Sequence, residues 1–87
     1  MRTPKELSRI IAANVRKRRK GRKLSMKDLA EKSGVSYGSV KRFESTGEIS
    51  LTSLLKIATV LDCADEFERL FTEQEIRSIQ EIIDGTV

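Results

Sequence analysis

At 87 residues and a net charge of +4, with 38% hydrophobic and 34% charged residues, the chain has the composition of one soluble globular domain and is too apolar for disorder. No run approaches the ~18 apolar residues of a membrane span, and the start lacks the apolar core of a secretory signal, so a cytoplasmic protein without membrane contact is expected. The lone Cys63 and the absence of histidine exclude an internal disulfide and a zinc site; neither metal nor cofactor is expected, and Cys63 reads as a small core or helix-end residue.

One proline, Pro4, and no stretch of alternating apolar and polar residues make the chain all-α. Thr3, Pro4 and Glu6 form a start signal: a hydroxyl cap, a proline at the first helical position and a glutamate completing a capping box. Helix 1 then runs to about Lys20, with Leu7, Ile10, Ile11 and Val15 on one face and Gly21 as its stop. Ser25 caps a short helix 2 over Met26 to Lys32. Gly34 turns the corner, and Ser36 caps helix 3, from about Tyr37 to Ser45, with Val35 and Val40 as its hydrophobic staple. Gly47 ends it. Ser50 opens helix 4, carrying Leu51, Leu54, Leu55, Ala58 and Leu61 at helical spacing, and Asp65 to Phe71 reads as a short fifth helix or turn. A second capping box, Thr72 with Glu75, launches a last amphipathic helix with Ile76, Ile79, Ile82 and Ile83. The expected organisation is a domain over 1–71 and a packing or dimerisation helix over 72–87.

Charge is distributed unevenly. Met1 to Gly47 holds 14 basic against 4 acidic residues, Glu48 to Val87 only 3 against 9. A basic half suits a polyanion, because each Lys or Arg placed on a phosphate releases condensed counterions, whereas an acidic half is better turned away from one.

Two short helices meeting at a glycine-containing corner have a physical logic. Ala30 is small where they cross, Gly34 takes the positive φ, and Val40 and Phe43 pin the second helix to the core, leaving its outer face free for a DNA major groove. The run from Leu24 through Glu44 resembles the Cro/repressor-type helix-turn-helix family, also called the XRE family. The resemblance spans about Ile10 to Leu61 and rests on Leu29-Ala30, Gly34-Val35-Ser36, Val40, Phe43, Glu44, Gly47 and Leu54-Leu55-Lys56-Ile57-Ala58. It implies a lambda-repressor-like bundle of about five helices that binds double-stranded DNA.

Carried over by position, the resemblance puts Tyr37, Gly38 and Arg42 at bases, with Ser39 and Lys41 close to bases or phosphates. Arg42 suits guanine, whose O6 and N7 match its fork. Phosphate contacts are expected from Arg16, Lys20, Arg22, Lys23 and Lys27, and from Ser36, Ser50 and Thr52 at helix starts. Glu44 matches a position that pairs with a helix-1 arginine, which here is Arg19. One departure stands out: many members carry glutamine where this chain has Met26, so that phosphate contact is lost or replaced.

Phe67, Leu70 and Phe71, with the isoleucine stripe, form the expected dimer or partner surface, unless the stripe folds back on the core. A dimer suits the function, since two recognition helices one DNA turn apart, roughly 34 Å, read a palindrome. The sequence expectation is a repressor acting as a homodimer. The alternative is an antitoxin that binds a toxin protein and represses its own operon. An enzyme is not expected: there is no nucleophile beside a base, no paired carboxylates and no phosphate-cradling glycine loop.

Overall fold

The structure, a computed structural model, describes residues 1–73; the expected last helix with Ile76, Ile79, Ile82 and Ile83 lies outside the described residues. The helices are α1 (Pro4–Gly21), α2 (Met26–Ser33), α3 (Tyr37–Thr46), α4 (Leu51–Val60) and α5 (Ala64–Glu68). No strand occurs among the described residues, and none of these helices is long and apolar enough to cross a membrane.

The first four helices begin where a hydroxyl satisfies an orphaned amide. Thr3 Oγ1 accepts from the Glu6 N–H at 3.1 Å while the Glu6 carboxylate accepts from the Thr3 N–H at 3.3 Å. Ser25 and Asp28 repeat that reciprocal pair at 2.9 and 3.0 Å, and the Ser25 N–H holds the Asp28 carboxyl below the usual carboxylate range. Ser36 and Ser50 accept from the Ser39 and Ser53 N–H groups, which fixes the starts of α3 and α4. The five-residue α5 has no side-chain cap.

Helix ends depart from the glycine pattern in two places. Gly21 is still helical, and the left-handed residue is Lys23, φ 58°, locked by Leu24 N–H to Arg19 C=O (3.1 Å) and Lys23 N–H to Lys20 C=O (2.9 Å). Asp62, φ 55°, closes α4 in the same way, with Cys63 N–H bonded to Ala58 C=O at 2.9 Å. Each costs about 1 to 2 kcal/mol for placing a Cβ in that region, an expense the paired carbonyl bonds offset.

The core has two clusters. Leu29, Val35, Val40, Ile57, Ala58, Leu61 and Cys63 form one, Ala12, Phe43 and Leu54 the other, and Val15, Ile49 and Phe67 pack against both. Val35 and Val40 are both buried at the entry to α3. Two expectations need correcting. On α1 the buried side chains are Ala12 and Arg19, whereas Leu7 and Ile11 are 47% and 43% exposed. On α4, Leu51 and Leu55 face solvent while Ile57 is fully buried. The Asp65 to Phe71 stretch is, as its sequence indicates, a short helix ending at Glu68 and a turn, with Leu70 exposed and Phe71 wholly so, at φ 63°.

The α1 correction has a steric cause. The end of α3 lies so close to α1 that a Cβ on Gly47 would fall 2.9 Å from the Ser8 carbonyl carbon, so only a small residue, Ala12, fits beneath Phe43. Gly34 and Gly47 share a left-handed φ, 77° and 84°, but nothing lies within 4 Å of a Cβ at Gly34. Gly34→Ala should therefore lose about 1 kcal/mol from the φ penalty alone. Gly47→Ala, which adds a backbone collision, should lose at least twice as much, about 2 to 3 kcal/mol on the scale of overpacked sites. Urea denaturation of both variants checks the ordering; equal losses would mean that α3 can move away from α1 freely.

Candidate nucleic-acid interface

Recognition by a helix requires that one side be fixed and the other free, and α3 is built that way. Val40 and Phe43 are 0% and 1% exposed, while Tyr37, Gly38, Ser39, Lys41 and Arg42 are all exposed. A 3.6-residue period separates the two sets.

A buried ion pair sets the angle of the helix. Arg19 Nε donates to Glu44 Oε2 at 2.7 Å and Nη2 to Glu44 Oε1 at 2.9 Å, a two-pronged contact joining α1 to α3, and Nη1 donates to the Leu24 carbonyl at 2.7 Å. Both side chains are more than nine-tenths buried. The Glu44 hydrogen bonds raise the Arg19 guanidinium above its ordinary pKa, outweighing desolvation. The planar fork satisfies α1, α3 and the loop before α2 at once, which a lysine could not do.

At the other end of α3, Lys27 Nζ of α2 lies 5.9 Å from the centre of the Tyr37 ring. This cation–π contact brings a residue expected at a phosphate against one expected at a base. Met26, where a glutamine would belong by resemblance, packs against the core instead. Lys27 thus bridges α2 and α3 on the outer face.

The basic run from Arg16 to Lys23 does not form one patch. Arg16 and Lys20, joined by Arg9 two turns earlier on that face, line a cleft bordered by Glu44. Arg18 pairs with Glu66 of α5 at 2.6 Å and Arg22 with Asp62 at 2.9 Å, on the side of α1 that faces the acidic half. Arg22 would have to leave Asp62 to reach a phosphate. Such an exposed pair is worth only about 0 to 1 kcal/mol, so the exchange is inexpensive. Lys23 is exposed at its left-handed position. Ser36 is occupied as a cap and also donates to Ser39 Oγ at 2.9 Å, so both hydroxyls are committed to each other before any DNA arrives. Ser50 and Thr52 are exposed at the start of α4, where amides of the first turn point outward.

Two residues here had no sequence signal. Arg9 shares a face of α1 with Ala13, Arg16 and Lys20 and joins their cleft, and Glu48, an isolated acid after Gly47, accepts from Arg42 Nη2 at 3.2 Å.

A family model described as helix-turn-helix matches residues 15–67, well over half of the chain. No curated protein and no solved structure matches it significantly.

Because the Arg19–Glu44 pair is buried, removing one partner should hurt more than removing both. Glu44→Met or Arg19→Met alone is expected to cost about 3 kcal/mol by stranding the other group, whereas the double replacement Arg19→Met with Glu44→Met should recover a large part of it. Chemical denaturation of the four proteins measures the coupling; additive losses would show that the pair is solvated in solution.

Proposed function

Because this chain belongs to the Cro/repressor-type helix-turn-helix family of DNA-binding transcriptional regulators, we propose that it is a repressor that occupies a palindromic operator as a homodimer. The observation carrying this reading is the two-sided character of α3: its inner face and the Glu44 side chain are buried and fixed, and its outer face is a row of exposed side chains with groove-reading chemistry. Arg42 offers a fork for guanine, Tyr37 a ring for a thymine methyl, and Lys41 and Ser39 reach bases or phosphates at the edges. Arg16, Lys20, Lys23 and Lys27 supply sequence-independent attraction, with Arg22 released from Asp62, and the starts of α3 and α4 at Ser36, Ser50 and Thr52 offer backbone amides.

Gly38 supports close approach. A Cβ there would meet nothing of the protein within 4 Å, so the fold does not demand glycine, although glycine costs a helix roughly 0.5 to 1 kcal/mol relative to alanine. A helix that must lie deep in a groove gives that cost a purpose. Gly38→Ala is expected to stabilise the free protein by up to that amount while weakening binding to preferred DNA.

The homodimer reading rests on residues 1–71 as the DNA-binding domain and 72–87 as its partner-facing extension. Leu70 and Phe71 are exposed, and Phe67, Leu61, Val15 and Ile11 line an apolar cleft of about 450 Å³ between α1 and the α4–α5 corner. Sedimentation should give a dimer that Phe71→Glu with Leu70→Glu converts to monomer. A folded monomer in both proteins, co-purifying with a neighbouring gene product, would instead favour the antitoxin reading.

Selection from a randomised duplex library, followed by fluorescence anisotropy across a salt series, tests the whole proposal. Wild type should enrich one half-site sequence. Arg42→Ala should lose about 1 to 3 kcal/mol of preference for it over scrambled duplex while keeping most of the salt slope, since base contacts specify and phosphate contacts attract. Equal binding of both duplexes by both proteins would rule out sequence reading by α3.

A further inference from the structure

The Arg42–Glu48 contact is part of a closed ring of hydrogen bonds. Arg42 Nη2 donates to Glu48 Oε2 at 3.2 Å. The Thr46 hydroxyl donates to the Arg42 carbonyl at 2.7 Å and accepts from the Glu48 N–H at 3.1 Å, so the backbone of Glu48 is tied to the backbone of Arg42 through one side chain. Gly47, between them, is fixed by its N–H to the Phe43 carbonyl at 2.7 Å and by the nearness of Ser8 and Arg9. Glu48 is thus held on a rigid corner beside the exposed face of α3, although both side chains of the ion pair are about two-thirds exposed.

We propose that Glu48 is a positioning residue for sequence reading: its carboxylate holds one edge of the Arg42 guanidinium and leaves the remaining donors aimed at the groove. This deepens the reading of α3 as a base-reading helix and rests on it. Arginine has several rotatable bonds, and an unheld fork can slide to a phosphate, where it attracts DNA without reading it. A carboxylate held on this corner narrows that freedom. It also carries a negative charge at the rim, which repels phosphates on every sequence alike. Glu48 therefore lowers affinity for DNA in general and raises the ratio between the preferred duplex and all others.

Glutamine and alanine separate these two effects. Both delete the charge, but the glutamine amide oxygen still accepts from Arg42. The probes are the duplex that wild type enriches from a randomised library and a scrambled duplex of the same composition, and the melting temperature confirms that each variant is folded. Both Glu48→Ala and Glu48→Gln should bind scrambled duplex more tightly than wild type. Glu48→Ala should lose about three- to tenfold of the preference for the enriched duplex, within the range one arginine fork can supply. Glu48→Gln should keep a larger share of that preference. The loss should fall at the same base pairs that Arg42→Ala affects, and Glu48→Ala should add nothing in an Arg42→Ala background. Unchanged preference in Glu48→Ala, with wild type still enriching a sequence, overturns the role of Glu48 alone. A wild type that enriches no sequence overturns this proposal together with base reading by α3.

Discussion

The bond between Arg19 and Glu44 is the constraint on which the arrangement of the other helices depends. It is the one charged pair among the described residues that is withdrawn from water on both sides, and it links the longest helix to α3. Apolar packing by Val40 and Phe43 holds α3 against the core but permits small rotations about its axis, because such contacts have no direction. A two-pronged guanidinium–carboxylate contact does have direction. The same arginine also bonds the Leu24 carbonyl, so the loop entering α2 is tied to the same point. The rigid frame presenting Tyr37, Lys41 and Arg42 therefore converges on a single side chain.

The uneven charge of the chain acquires a spatial meaning once the pairs are known. Arg18 and Arg22 reach across to Glu66 and Asp62, which neutralises the side of α1 facing the α4–α5 corner, while Arg9, Arg16 and Lys20 line the cleft beside Glu44 and form no ion pair among the described residues. One helix thus carries a positive stripe toward α3 and a compensated stripe away from it. The field of the molecule is directional, which orients an approaching polyanion before any specific contact is made.

Much of this was legible in the sequence, for reasons that differ by element. The starts of α1 to α4 could be read because capping is local: a hydroxyl and the amide three residues on need nothing else. The corner at Gly34 and the inner face of α3 were equally visible, since they follow from φ and from helical period. What remained hidden depends on distant neighbours. Leu7 and Ile11 have the spacing of core residues, but nothing in the period of α1 shows that α3 approaches at Ala12 and Gly47 instead. Leu51 and Leu55 share the helical spacing of Leu54, Ala58 and Leu61, and period alone does not separate the exposed pair from the buried three. The left-handed Lys23 and Asp62 were missed because glycine usually marks such positions, and here paired carbonyl bonds compensate a less suitable residue. At the interface, the Arg19–Glu44 geometry was anticipated through family resemblance, whereas the Glu48 ring arises from a turn whose shape no local pattern prescribes.

Gly38 and Tyr37 sit where neither the core nor any ion pair depends on the size of their side chains. On the proposed reading of α3, mutation at these positions is filtered by DNA preference more than by folding, so descendants of this chain can drift between operators while the frame around Arg19, Phe43 and Gly47 stays unchanged. A regulator built this way duplicates safely: one copy keeps its old target, and the other explores new ones without passing through an unfolded intermediate sequence.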